Sequence, residues 1–254
     1  MNALAAPAPR RRRRGLRRLI VLLVILVVVI GLAIAADVAA RAFAQDYVEQ
    51  QIEQSLPAGV QSDVDVRIGG GSMLLQLVTG KLDDVHIDGE DLTVGGLPVS
   101  ATVALGGVPL DQSLPAETAL ARIVLTDDAL DAVLAAQGDT GTTTIRDGRV
   151  LYTGTAPVLG VDLDFEVTAD ATADEDSLHL EPTSARVTSG PLDVDATALI
   201  GLVAPNGIDY CVGDYLPVGV AITRLDVGDG SVTLTLAGDG IVLNSAALST
   251  MRGC

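Results

Sequence analysis

Two histidines, two cysteines, a serine beside a glycine run and several close aspartate pairs are the residues from which this chain could build a reactive centre. His86 lies in Asp83-Asp84-Val85-His86-Ile87-Asp88, and His179 in Leu178-His179-Leu180-Glu181. An imidazole can move protons near neutral pH. Both, however, alternate with aliphatic residues, which predicts solvated faces of strands. Ser72 is not placed as a nucleophile, because the G-x-S-x-G turn that exposes such a serine needs glycine where position 74 is Leu. Gly69-Gly70-Gly71 lacks the downstream glycine and the Lys-Ser/Thr that cradle a phosphate, and reads as a flexible or bulged connection. Asp127-Asp128, Asp162/Asp164 and Asp193/Asp195 offer the hard oxygens that suit calcium. None has EF-hand spacing, and alternating aspartates on a strand form a hydrated face. Two His and two Cys are a poor supply for zinc sites or iron–sulfur clusters. The expectation is a chain with no catalytic group, no metal ion and no cofactor.

The elements that would carry these residues are mostly strands. Val64, Val66 and Ile68 alternate with Asp63, Asp65 and Arg67, and Val161, Leu163, Phe165 and Val167 alternate with Asp162, Asp164, Glu166 and Thr168. A period of two puts one set on an apolar face and the other in water. The same alternation marks 99–105, 218–222 and 232–236, while Asp147-Gly148 and Gly228-Asp229-Gly230 read as tight turns. Thr126-Asp127-Asp128 supplies a cap and two carboxylates for a helix over Ala129 to Gln137, ended by Gly138. Met73 to Val78 is a short apolar helix or a buried strand, and Ala196 to Ala204 is a further helix candidate.

The amino-terminal region sets the compartment. Leu19 to Ala36 holds no charged residue, and at about 1.5 Å per residue it reaches roughly 27 Å, close to the thickness of a bilayer's hydrocarbon. Arg10 to Arg14, Arg17 and Arg18 precede it, so the positive-inside rule keeps 1–18 in the cytoplasm and sends the rest across. A cleaved signal peptide is the competing reading, with small-x-small cuts at Ala33-Ile34-Ala35 or Ala42-Phe43-Ala44. After Ala36 only nine of the 16 basic residues remain against all 33 acidic ones, a balance of −24 that excludes nucleic acid as a first expectation. In an exported domain Cys211 and Cys254 are expected to bridge, closing a loop of about 43 residues worth roughly 3–4 kcal/mol.

The organisation predicted is an Arg-rich head (1–18), a transmembrane helix or signal anchor (19–36), an amphipathic helix (37–56) and a β-rich extracytoplasmic domain (57–254). In that helix Val38, Phe43, Tyr47, Val48, Ile52 and Leu56 share one face, and Pro57 ends it. One-sided strands must bury their aliphatic faces by closing, by packing a second layer or by wrapping a ligand. Four Tyr, two Phe and no Trp leave an interior of Val, Leu, Ile and Ala, suited to acyl chains. The candidate lining is Val64, Val66, Ile68, Leu74, Leu75, Leu77, Val161, Leu163, Phe165, Val167, Val220 and Ile222. A core filled by the protein's own side chains remains the alternative.

Several segments resemble the LmeA-like family of actinobacterial envelope proteins, described as phospholipid-binding. They are the Arg-rich head with its single apolar span, Val64-Asp65-Val66-Arg67-Ile68 leading into Met73-Leu74-Leu75-Gln76-Leu77-Val78-Thr79-Gly80, and Leu82-Asp83-Asp84-Val85-His86-Ile87. Leu125-Thr126-Asp127-Asp128-Ala129-Leu130, Tyr210-Cys211 and Leu216-Pro217-Val218-Gly219-Val220 continue the pattern. The resemblance implies an α+β, β-dominated fold, an elongated curved sheet or barrel of the tubular lipid-binding kind with two or three short helices. It also implies a role in envelope lipid or lipoglycan upkeep. The function expected is a membrane-anchored, non-enzymatic protein whose partners are the membrane and a phospholipid or other acyl-chain lipid, bound or transferred. The alternative is a structural or protein-interaction module of the envelope. The acidic surface repels anionic headgroups, so binding must rely on apolar burial, a neutral or glycosylated headgroup, or cation bridging.

Overall fold

A computed structural model of the chain describes residues 13–55, 63–94, 97–136, 138–158, 161–189 and 192–254. Most of the Arg-rich head, the expected helix end at Leu56-Pro57, and Gln137 lie outside the described residues. Helix α1 (Arg13–Ser55) is followed by β1 (Asp63–Ile68), α2 (Met73–Thr79), β2 (Lys81–Val94), β3 (Leu97–Pro109), β4 (Pro115–Thr126) and α3 (Asp127–Ala136). Strands β5 (Thr142–Arg146), β6 (Arg149–Val158), β7 (Val161–Ala173), β8 (Ser177–Ser189) and β9 (Leu192–Asp195) lead to α4 (Thr197–Val203). The chain closes with β10 (Ile208–Cys211), β11 (Val220–Val227), β12 (Ser231–Val242) and α5 (Ser245–Leu248).

Helix α1 does not break where the apolar run ends. It carries through Asp37, and its distal part packs on the first sheet with Ala40, Ala44 and Val48, spaced four apart on one stripe. The expected apolar face is only partly the packed one. Val38, Phe43 and Tyr47 are exposed, because small alanines rather than the aromatic residues let the helix approach β1.

The strands form two antiparallel sheets, β1-β2-β3-β4-β12-β11 and β10-β8-β7-β6-β5, with β9 beside β8. Among the described residues neither sheet closes on itself, so the barrel expected from the alternation is replaced by two open sheets. The edges of the first sheet are covered instead of paired. Glu49 on α1 accepts the Val66 amide of β1 at 3.0 Å. At the other edge, the Ile222 amide of β11 donates to the Glu175 carbonyl in the β7–β8 turn. At the far end of β11 the β11–β12 turn meets the β5–β6 turn, where the Gly230 amide donates to the Ile145 carbonyl and the Asp147 amide to the Asp229 carboxylate. Turns of the second sheet thus abut the β11 side of the first.

Local signals account for most elements. Asp147 (φ 55) and Gly148 (φ 74) both sit in the left-handed region and join β5 to β6 as the Asp-Gly pair predicts. The ambiguity over Met73 to Val78 resolves as helix. Ser72 caps it by accepting the Leu75 amide, and Gly80 ends it at φ 74. The glycine run before it is tight rather than loose, since a Cβ at Gly70 would stand 2.6 Å from that of Asp83. The buried Gln76 side chain donates to the Gly69 and Gly71 carbonyls and accepts the Asp83 amide, which fixes the turn. The predicted helices over 129–137 and 196–204 appear as α3 and α4, while the single-turn α5 had no periodic signal to announce it.

The first sheet fills its own interior. Val64, Val66, Ile68, Met73, Leu82, Val85 and Leu105 form one buried cluster under α1. Leu216, Ile222, Leu234 and Leu236 form a second, met by Ala173 and Leu178 from the other sheet. The expected Cys211–Cys254 disulfide is present and ties β10 to the chain's last residue.

Candidate functional site: an apolar trough on the second sheet

The second sheet leaves part of its apolar face uncovered. Its register sets Val150 opposite Ala169, Tyr152 opposite Val167, and Gly154 opposite Phe165 across β6 and β7. On the far side of β7, Phe165 faces Val187 and Val167 faces Ala185. An irregularity between Thr168 and Ala169 then shifts the pairing, so that Ala169 meets Pro182. Thr183 is the extra residue. Because one inserted residue reverses the alternation, Leu180 and Pro182 join Ala185 and Val187 on the same face despite their opposite parity.

Two helices wall this face. Helix α3 contributes Leu130 and Leu134 and is clamped to the edge strand by its acidic side: Asp127 accepts the Ile145 amide at 3.0 Å and Asp131 accepts the Thr143 amide. Carboxylates one helical turn apart match alternate amides of a strand edge, which hides that edge from other chains. Helix α4 contributes Leu199 and Ile200. Asp195 accepts the Thr197 amide at 2.8 Å, and the Ala196 amide donates to the Ala185 carbonyl, seating α4 on β8.

Between the helices lie a cavity of about 460 Å³ under α3 and one of about 330 Å³ under α4, which share Val167, Pro182 and Ile208. Pro182 also borders a third space of about 250 Å³, whose lining includes His179, Glu181 and Asn206. The result is an apolar trough, next to which a polar recess opens by way of Pro182, Ile200 and Ala204. Each of the larger cavities falls within the roughly 300–1,000 Å³ typical of ligand pockets.

The polar groups at the trough are engaged with one another. Under α3, the Tyr152 hydroxyl donates to Asp139 at 2.7 Å, and burial together with that carboxylate pushes the phenol up to about 12. The Gly141 amide and the Tyr152 hydroxyl hold Asp139 below the usual carboxylate range. Gly154 leaves room for this ring, since a Cβ there would stand 2.8 Å from the hydroxyl. In the recess His179 Nδ1 lies 2.7 Å from Asp209, whose carboxylate raises the imidazole above its ordinary value. Nucleophile–base geometry does not arise among these groups, and among the described residues no three metal-ligating side chains converge.

Of the residues expected to line a lipid site, Phe165 and Val167 border the trough. Leu163 lies on the same face of β7, half-buried opposite Ala156, and Val161 is placed by its backbone alone. Val64, Val66 and Ile68 are sealed in the core under α1, because the helix covers the face their alternation exposes. Ile222 is buried and Val220 packed in the second cluster. Leu74, Leu75 and Leu77 are exposed on α2, outside these cavities. Leu130, Leu134, Tyr152, Leu180, Pro182 and Ile208 escaped the sequence reading. The register shift at Thr183 hides the β8 residues, and the α3 leucines carry the ordinary pattern of a packed helix.

These features define an α+β protein with, among the described residues, one helix long and apolar enough to cross a membrane, and with an open sheet bearing an apolar trough. The chain belongs to the LmeA-like phospholipid-binding family, whose model it matches over residues 35–237. No curated protein and no solved structure matches it.

Proposed function

We propose that this protein holds a phospholipid or related amphipathic lipid with its acyl portion along the second-sheet trough and its headgroup toward the recess beside His179, without covalent chemistry. The observation that carries this reading is an uncovered, mostly apolar trough in a member of a phospholipid-binding family. Burial is worth about 0.8 kcal/mol per methylene, so a few turns of chain suffice for stable capture after the costs of ordering. The acidic recess disfavours a doubly anionic headgroup and suits a zwitterionic or glycosylated one.

We read α1 as a retained anchor with the Arg-rich side in the cytoplasm, so that the sheets stand outside and serve upkeep of envelope lipids or lipoglycans. The family match begins at residue 35, and the distal half of α1 packs into the first sheet, which supports treating that half as part of the domain.

The test is lipid analysis of the full-length chain purified in a mild detergent. Phospholipid retained at a fixed ratio, and lost in a folded Val167→Asp variant, is the result expected. Lipid equally retained by that variant, or an empty protein that takes up no labelled phospholipid from vesicles, overturns the reading and favours a structural or protein-interaction module.

A further inference from the structure

Helix α2 turns an apolar face away from both sheets. Met73 and Gln76 are buried, but Leu74, Leu75, Leu77 and Val78 are exposed, Leu75 to 62% and Val78 to 85%. Residues 69–80 carry no charged side chain, in a region whose balance is −24. An exposed aliphatic cluster of this kind on a polyanion marks a contact surface.

What fixes its occupant is where the helix is tied. Asp37, the first charged residue after the apolar run, accepts the Ser72 hydroxyl at 2.6 Å and the Leu74 amide at 2.9 Å. One turn further along α1, Arg41 donates to the Ile68 and Gly71 carbonyls. The start of α2 is therefore lashed to the turn of α1 at which the apolar segment stops. We propose that α2 is an interfacial foot, seated among the headgroups and upper acyl chains of the leaflet through which α1 leaves the membrane. This rests on the reading of α1 as a membrane span, and is independent of what occupies the trough.

The chemistry favours lipid over protein at this place. The rest of the domain is repelled by an anionic leaflet, so contact with the bilayer must pass through an uncharged surface. Leucine and valine on a short helix at a span's exit are the side chains that such a boundary accepts. A foot of this kind also fixes the rotation of the domain about α1.

The absence of native tryptophan makes the test direct. Leu75→Trp, Val78→Trp, Ile30→Trp and Val218→Trp, each the sole tryptophan in the full chain, are reconstituted in phosphatidylcholine–phosphatidylglycerol vesicles with and without lipids brominated high on the acyl chains. Positions 75 and 78 are expected to give blue-shifted emission that is largely lost with the brominated lipid, while 218 keeps its emission. Emission at 75 and 78 that matches 218 overturns the foot and assigns the patch to a protein partner. The Ile30→Trp signal then says whether the span itself is embedded, and lipid retention in the same samples reports on the trough separately.

Discussion

The Tyr152 hydroxyl meets the Asp139 carboxylate at 2.7 Å, joining the middle of β6 to the segment just beyond α3 and pinning the end of that helix over the trough. Loss of the phenolic proton would set two negative charges side by side. The fold therefore favours the neutral phenol, and the pair's contribution is complete below tyrosine's ordinary value near 10 and is lost as pH rises through about 12. Ultraviolet titration of the full chain should show a late phenolate step near 12 that Tyr152→Phe removes. If that variant keeps the step, the pairing is wrong.

The clamp between α3 and β5 should be expensive to cut. Asp131→Ala leaves the Thr143 amide without its partner beneath the helix, at a cost of about 1–3 kcal/mol. The double variant with Asp127→Ala should also bare the β5 edge and raise aggregation in light scattering. Urea melts that coincide with the native protein's would show the carboxylates to be ornamental.

Val167 borders both large cavities, so a carboxylate there places an unpaired charge against any acyl chain. Uptake of labelled phospholipid by Val167→Asp should fall at least about tenfold, equivalent to roughly 1.4 kcal/mol. Val66→Ala, in the sealed cluster under α1, should instead lower stability by a few tenths to about 2 kcal/mol and leave uptake intact. Loss of uptake in the second variant alone would move the site to the first sheet.

Of the two candidate signal cuts, the one after Ala44 conflicts with the packing of α1. Asp37, Arg41 and Glu49 each hydrogen-bond to β1 or to the α2 region, and a cut after Ala44 would discard the first two. The native protein should begin no later than Asp37 when its terminus is sequenced. A mature start at Gln45 contradicts this packing.

Removal of the disulfide by Cys211→Ser should cost about 2–4 kcal/mol and loosen the tail that carries Arg252, which is paired with Glu175 at 2.6 Å. Thermal unfolding of the oxidised and reduced protein checks it; equal midpoints would be the contrary result.

How far the sequence reached can be seen from two strands. In β1 and β7 the period-two pattern correctly marks an apolar face, since that pattern is local. What covers each face is not local. The β1 face is closed by Ala40, Ala44 and Val48 of α1, sixteen or more residues before Val64, and small residues carry little hydrophobic signal. The β7 face stays open because α3 and α4 stand at its sides, α3 held by Asp127 and Asp131 reaching the amides of β5 and α4 by its Ala196 amide reaching the Ala185 carbonyl of β8. Barrel closure failed for a related reason. Alternation demands only that oily faces be buried, and a helix or an abutting turn meets that demand as well as a paired strand.

Helix α1 passes Asp37 without a hinge, and the nineteen residues from there to Ser55 rise roughly 28 Å. In the anchored reading the domain is built along this stem from the membrane surface outward, so the stem sets the height to which the sheets reach and forbids detachment. Traffic is then planar: the protein drifts sideways with its lipid and can deal only with donors or acceptors that come alongside at that height.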